Sequence, residues 1–221
     1  AVTMIATANT GYNFSHWSDK DGNRVSNDNP YTYYGKADAT FTANFIEDKW
    51  GVPAEDKSDR GDAAVQPQFV REMTFAYFNR EAQTIYEASS TPTSLFNTVP
   101  QIIDVPRGAS FDITWSDLDS DALKYCNLSA YIDLNADGDF NDNGELLKVA
   151  GTKGAVNTAV CEGKINVLLP YDTPLGITHM RMRFDGAWTS GYDTNSGAYP
   201  AKKTLNRMCY EIIINVTEFS Q

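Results

Sequence analysis

The run Asp133-Leu-Asn-Ala-Asp-Gly-Asp-Phe-Asn-Asp-Asn-Gly-Glu145 sets oxygen-bearing side chains at Asp133, Asn135, Asp137 and Asp139, with Asp142 and Glu145 following. A hard cation such as Ca²⁺ takes six to eight oxygen ligands at about 2.3–2.6 Å, and alternate spacing folds such oxygens around one point. Gly138 supplies the positive-φ bend that closes a loop of this kind. The pattern departs from the helix-flanked calcium loop, because position 12 is Gly144 and the acid comes one residue later, at Glu145. Phe140 is the apolar residue expected to anchor the loop to a core. The same composition also suits a plain turn that holds no ion, since Asp, Asn and Gly are the ordinary turn formers.

Other chemistry is sparse. The sequence has no Gly-x-Ser-x-Gly elbow, no His-Glu-x-x-His and no phosphate-cradling glycine loop. A glycosidase needs two facing carboxylates, and Asp117, Asp119, Asp121 and Asp185 are the candidates. With 29 acids in the chain, nearness on paper carries little weight, and the run 117–121 reads equally as a solvated acidic turn or as part of a cation site. The expectation is therefore a chain with no catalytic residues. His179, Arg181 and Arg183 alternate with Met180, Met182 and Phe184, which predicts a strand with one core face and one exposed, cationic face able to meet an anion or a sugar acid. The following stretch carries Trp188, Tyr192, Asn195 and Tyr199 among small polar residues. Aromatic faces against sugar C–H surfaces, with amides ordering hydroxyls, make these four the candidate ligand residues. The same loop would suit an adaptable protein-binding surface, or could be packed down by its own aromatics.

Composition narrows the classes. At 221 residues the chain has room for one large or two small domains, and 42% apolar with 12% aromatic residues is enough for a packed core. A net charge of −11 argues against nucleic acid as a partner, since phosphate backbones demand clustered Lys and Arg. No apolar run reaches the roughly 18 residues that span a bilayer, so no membrane insertion is expected. The sequence opens within what reads as a strand, and a fragment of an extracellular or surface-anchored protein is expected, with signal and anchor elsewhere. Cys126, Cys161 and Cys209 lack Cys-x-x-Cys spacing, which disfavours zinc. They leave open a Cys126–Cys161 disulfide with a spare thiol, or three buried thiols.

Two units are expected to position these residues. Residues 1–46 alternate over 2–7, 13–17, 30–34 and 39–45, with a hairpin signal at Asp21-Gly22. Residues 47–67 are charged and lack apolar periodicity, the composition of a polar linker; Arg60-Gly-Asp62 within it could engage an integrin but arises readily by chance. Residues 68–221 predict strands at 69–77, 84–87, 101–105, 110–115, 128–134, 146–149, 164–169, 177–184 and 210–216, with no useful helical periodicity. Strands flanking the acidic loop rule out a helix-loop-helix site. The rhythm predicts an all-β fold, a sandwich of two antiparallel sheets in a jelly-roll or immunoglobulin-like arrangement.

Two family resemblances attach to particular residues. Val2-Thr-Met-Ile-Ala-Thr, Gly11-Tyr-Asn-Phe-Ser-His-Trp17 and Thr40-Phe-Thr-Ala-Asn-Phe45 resemble the internalin B-type repeat of bacterial surface proteins. That resemblance implies a small β-grasp-like stalk or spacer module, here without its first strand or two. Ala130-Tyr-Ile-Asp through Glu145, with Leu169-Pro and Gly176-Ile-Thr-His-Met-Arg-Met-Arg-Phe184, resembles the GEVED domain. It implies a β-sandwich of secreted or surface-anchored bacterial proteins, across residues 68–217. The family's closing Gly-Glu-Val-Glu-Asp-Tyr stands here as Leu205-Asn-Arg-Met-Cys-Tyr210, which puts any role of those acids in doubt. The expectation is a non-catalytic secreted or cell-surface module with a structural calcium loop. Its partner would be a glycan or a host or matrix protein. The alternatives are an accessory domain of a larger secreted hydrolase, glycosidase or protease, and a pure stalk.

Overall fold

Apolar–polar alternation becomes strand almost wherever the sequence carries it. The computed structural model describes the chain except residues 10, 11, 27, 48, 56–67, 78, 79, 119, 195, 202–204, 206, 220 and 221, and the side chains at 13 and 46. Asn195, Asp119 and the Arg60-Gly-Asp62 tripeptide therefore lie outside the described residues. The chain divides into two compact units, Ala1–Gly51 and Val52–Gln221. No helix among the described residues is long and apolar enough to cross a membrane.

The first unit holds β1 (Val2–Met4), β2 (Tyr12–Ser18), β3 (Arg24–Ser26), β4 (Tyr31–Tyr33) and β5 (Thr42–Glu47). β1 pairs antiparallel with β4, and β3-β2-β5 form a second sheet. The Asp-Gly signal is realised as the β2–β3 turn. Asp19 Oδ1 accepts the N–H groups of Asp21 and Asn23, each at 2.9 Å, and Gly22 takes φ 84°. Its side is held by aromatics: Phe14 lies 5.7 Å from Trp17 and 6.0 Å from Phe45, and Trp17 Nε1 donates to the Asp28 carbonyl at 3.1 Å.

The second unit is a β-sandwich. One sheet orders β13 (Glu162–Leu168), β10 (Ser110–Ser116), β6 (Glu72–Tyr77) and β7 (Gln83–Glu87), all antiparallel. The other orders β12 (Leu146–Ala150), β11 (Cys126–Ile132), β14 (Gly176–Gly186) and β15 (Met208–Thr217), also antiparallel. Between the sheets, Met73, Phe75, Phe111, Ile113, Trp115, Ile165 and Val167 meet Leu128, Ala130, Ile132, Met180, Met182, Phe184, Ile212 and Ile214 in one buried cluster. Fully burying a side chain of this size is worth about 1.5–3 kcal/mol. The apolar residues of the alternating runs thus land where their period put them.

Two features depart from expectation. The free edge of β15 carries two short parallel strands in succession, β8 (Phe96–Thr98) and β9 (Ile103–Pro106), so the sandwich is not antiparallel throughout. Val99 N still bonds to Glu211 O at 2.8 Å, but Pro100 has no N–H to continue the ladder, which divides the edge into two pieces. The Cys126–Cys161 disulfide is not formed: all three cysteines are free. Cys126 and Cys209 sit in the apolar core, where burial pushes each thiol up to about 12, and burial followed by the nearby Asp117 carboxylate raises the Cys161 thiol to about 11.

Candidate functional site

The face of the β11–β14–β15 sheet turned away from the core is polar yet buried. His179, Arg181 and Arg183 were expected on an exposed cationic face, but Arg181 and Arg183 have 0% exposure and His179 3%. The reason is a third layer. The described residues of 187–201 form a strap whose Tyr199, Pro200 and Ala201 lie on this face, and Phe140 of the 133–145 loop covers Arg181. Arg181 reaches Glu211, directly opposite on β15, through Nε at 2.6 Å and Nη2 at 3.0 Å, and His179 Nδ1 meets the same carboxylate at 2.7 Å. Arg183 forks onto Asp185 through Nε at 2.9 Å and Nη2 at 2.8 Å. Each guanidinium spends a further N–H on the strap: Arg181 Nη1 donates to the Ala201 carbonyl at 3.1 Å, and Arg183 Nη1 donates to that of Pro200. Tyr199 N donates to Ser129 Oγ at 2.9 Å, and Tyr131 Oη donates to the Tyr199 carbonyl. Buried charges on this face are thus paired and hydrogen-bonded, the condition under which burial is tolerated.

The acidic loop is a chain of short local hydrogen bonds. Gly138 (φ 94°) donates to Asp133 Oδ2 at 2.8 Å, Asp137 N to Asn135 Oδ1 at 3.0 Å, Asp139 N to Asp137 Oδ1 at 3.0 Å, and Asn141 N to Asp139 Oδ1 at 2.9 Å. Buried Glu145 accepts from Leu134 N at 2.8 Å and Asp142 N at 3.1 Å. Burial, and then the neighbouring charges of Asp133 and Asp142, raise the Glu145 carboxyl above its usual range. Asn135 Nδ2 donates to Asp142 Oδ2 at 2.6 Å and Asp137 Oδ2 at 3.2 Å, so a partial positive charge bridges two carboxylates. Among the described residues, no three His, Cys, Asp or Glu side chains gather as a metal centre. Phe140 does anchor the loop. It is 5% exposed, packs 6.0 Å from Tyr131, and lies 5.1 Å from the Arg181 guanidinium, which has Phe96 at 5.5 Å.

Among the described residues, the remaining acid candidates are each committed elsewhere. Asp117 was read as part of a solvated turn, but it is buried and its Oδ2 accepts Leu123 N at 3.1 Å, fixing the 3-10 turn Ala122–Tyr125. Asp185 is committed to Arg183, and exposed Asp121 pairs with Lys124 at 3.0 Å. Of the linker expected over 47–67, Ala54 and Glu55 are docked on the sandwich: Ala54 O accepts Leu205 N at 2.9 Å, and Glu55 Oε1 accepts Leu95 N at 2.6 Å.

An open cleft of about 380 Å³ lies where β11 and β14 meet the strap, lined by Gln68, Tyr125, Gly186, Trp188, Thr189 and Arg207. Trp188 is 58% exposed and Tyr125 43%, with ring centroids 6.4 Å apart and planes inclined at 44°. The turn that carries Trp188 is braced on every side. Ala187 N donates to Tyr125 O at 2.8 Å, Gly154 N to Ala187 O at 2.9 Å, and Thr189 N to Gly186 O at 2.9 Å. Tyr199 Oη lies 3.0 Å from the carbonyls of both Gly186 and Thr189 and shares its one proton between them. Arg207 Nε donates to Gln68 Oε1 at 2.8 Å. Lys124 Nζ stands 5.6 Å from the Tyr125 ring, and Lys153 Nζ donates to the Thr189 carbonyl at 2.7 Å.

The four sequence candidates separate in this setting. Trp188 faces the cleft. Tyr199 is buried at 1% exposure and holds the turn from below, with half-buried Tyr192 packed on it at 5.4 Å. Tyr125, Gln68 and Arg207 come from three other segments, and only the closed sheet brings them beside Trp188. No local spacing in the sequence announces them.

Comparison with known proteins adds two family matches, while no curated protein matches the chain. The family model of the GEVED domain matches residues 127–203, which take in β11, the acidic loop, β12–β14 and the strap. The model of the divergent InlB B-repeat domain matches residues 1–49. This pair of domains is suggestive of a bacterial surface or accessory module. The chain carries a divergent InlB B-repeat domain followed by a GEVED domain.

Proposed function

We propose that this chain is a non-catalytic, secreted or cell-surface binding module that takes a glycan at the Tyr125–Trp188 cleft. The observation that carries this reading is Trp188 itself. The neighbouring Tyr199 and Tyr131 are buried, yet Trp188 is held outward at 58% exposure on a turn fixed by three main-chain hydrogen bonds, the Tyr199 hydroxyl and the Lys153 ammonium. A rigid aromatic beside a second inclined ring costs little conformational entropy on binding and suits the C–H faces of a sugar. A glycan array probed with the intact protein should give signals that Trp188→Ala reduces about tenfold or more. Signals unchanged by that substitution, or none at all, would remove the reading.

The 133–145 loop is proposed as a structural calcium site, with Asp133, Asn135, Asp137, Asp139, Asp142 and Glu145 as the oxygen donors. Support comes from the crowding of Glu145 by Asp133 and Asp142 and from the amide bridging Asp137 and Asp142. A bound Ca²⁺ would supply charge neutralisation and hold the loop, with Phe140, over Arg181. At a concentration of 100 Kd a ligand specific to the native state adds about 2.7 kcal/mol. Calcium should therefore raise the melting temperature over EDTA, and Asp133→Ala with Asp137→Ala should remove the increment. An identical melting curve in calcium and EDTA argues for the bare turn.

A further inference from the structure

The cleft has a chemical bias that its aromatic rings do not require. In a chain with 29 Asp and Glu against 18 Lys and Arg, none of the six lining residues is acidic, and one is Arg207. The guanidinium is oriented through Nε by Gln68 at 2.8 Å. Two further cations border the cleft. Lys124 is held over Tyr125 by Asp121, and Lys153 is held against Thr189. The lining itself thus carries a net positive charge on a protein whose whole charge is −11.

We infer that the cleft selects acidic sugars, with Arg207 receiving a ring carboxylate while Trp188 and Tyr125 pack against the sugar's C–H face. This rests on the glycan reading above and narrows it. A guanidinium already positioned by an amide offers a carboxylate charge-assisted hydrogen bonding that a neutral hydroxyl cannot match. Hydrogen bonds to charged groups exceed neutral ones by enough to give about a tenfold preference. The preference must weaken with salt, because the contributing charges are partly exposed and the Debye length is about 8 Å at 0.15 M.

The test uses the 221-residue chain and two probes with the same sugar backbone, anionic oligogalacturonate and its neutral full methyl ester, measured by calorimetry at low and high salt. The acid should bind about tenfold more tightly at low salt. Arg207→Gln should bring the two probes level, Arg207→Lys should keep part of the difference, and Trp188→Ala should weaken both. Tyr125→Ala, at an exposed position, serves as a second aromatic variant should Arg207→Gln fail to fold. Equal binding of acid and ester overturns the acidic preference and leaves the glycan cleft standing. Binding of neither overturns the glycan reading itself. Polyglutamate competing as well as oligogalacturonate shows that charge alone is recognised and overturns the sugar assignment.

Discussion

Arg183 and Asp185 sit two positions apart on one strand, on the same face, and both are buried, with side-chain exposure of 1% each. A pair in that position is a poor source of net stability, but removing one partner strands a charge in a dry site, at a cost of about 3–5 kcal/mol. Arg183→Ala should therefore lower the free energy of unfolding by about that much in urea, and Asp185→Asn added to it should recover part of the loss. A cost below about 1 kcal/mol would show that water reaches the face. Glu145 poses the opposite problem. Its carboxyl is raised by burial and by Asp133 and Asp142, so in the native state it holds its proton more tightly than in the unfolded chain. Such a group contributes most below the unfolded-state value near 4.3 and loses that contribution as pH rises through the native value. Calcium would take the proton's place once the group ionises. The calcium-dependent rise in melting temperature should consequently be larger at pH 7.5 than at pH 4.5, and a rise independent of pH would remove Glu145 from the ligand set.

At the level of elements, the strands with strong alternation were legible and the layer that covers them was not. Runs such as 110–115 and 177–184 show which residues face the core, because one face of each is apolar whatever lies on the other. The short strands β3 and β8 escape notice: Arg24-Val-Ser26 and Phe96-Asn-Thr98 are too brief to show a period, and pairing with β2 and β15 decides them. The polar face of β14 misleads for a physical reason. Histidine and arginine at alternate positions signal solvent only if nothing else covers them, and the carbonyls that receive them come from residues 200 and 201, well along the chain. The cleft was half legible, since Trp188 stood out by type but Tyr125, Gln68 and Arg207 join it only in three dimensions. Tyr199 links these elements. Tyr199→Phe should cost about 0.5–1.5 kcal/mol by removing its hydroxyl from the carbonyls of Gly186 and Thr189, and should loosen the Trp188 turn. Increased fluorescence depolarisation of Trp188 would register that loosening, whereas unchanged stability and depolarisation would show that the other braces suffice.

Taken whole, the molecule has three cysteines and no disulfide, so its second unit stands on packing alone. With the Cys126 and Cys209 thiols raised to about 12, their reactive thiolate is almost absent near neutrality. An aromatic disulfide reagent at pH 8 should leave both untouched in the native protein and titrate three thiols in denaturant, and melting should be the same with and without reductant. A melting temperature that falls in reductant would mean a bridge forms in solution. One feature of the strap carries further than stability. Its C-terminal end is gripped by arginines that hold the main-chain carbonyls of Pro200 and Ala201, which every amino acid presents alike. At those two positions the seat therefore reads main chain, leaving buried Tyr199 as the side chain that fixes the strap. Residues such as Trp188 and Thr189 can be rewritten without renegotiating the fit, so that a new recognition surface could be installed on an unchanged socket, much as a blade is exchanged in a fixed handle.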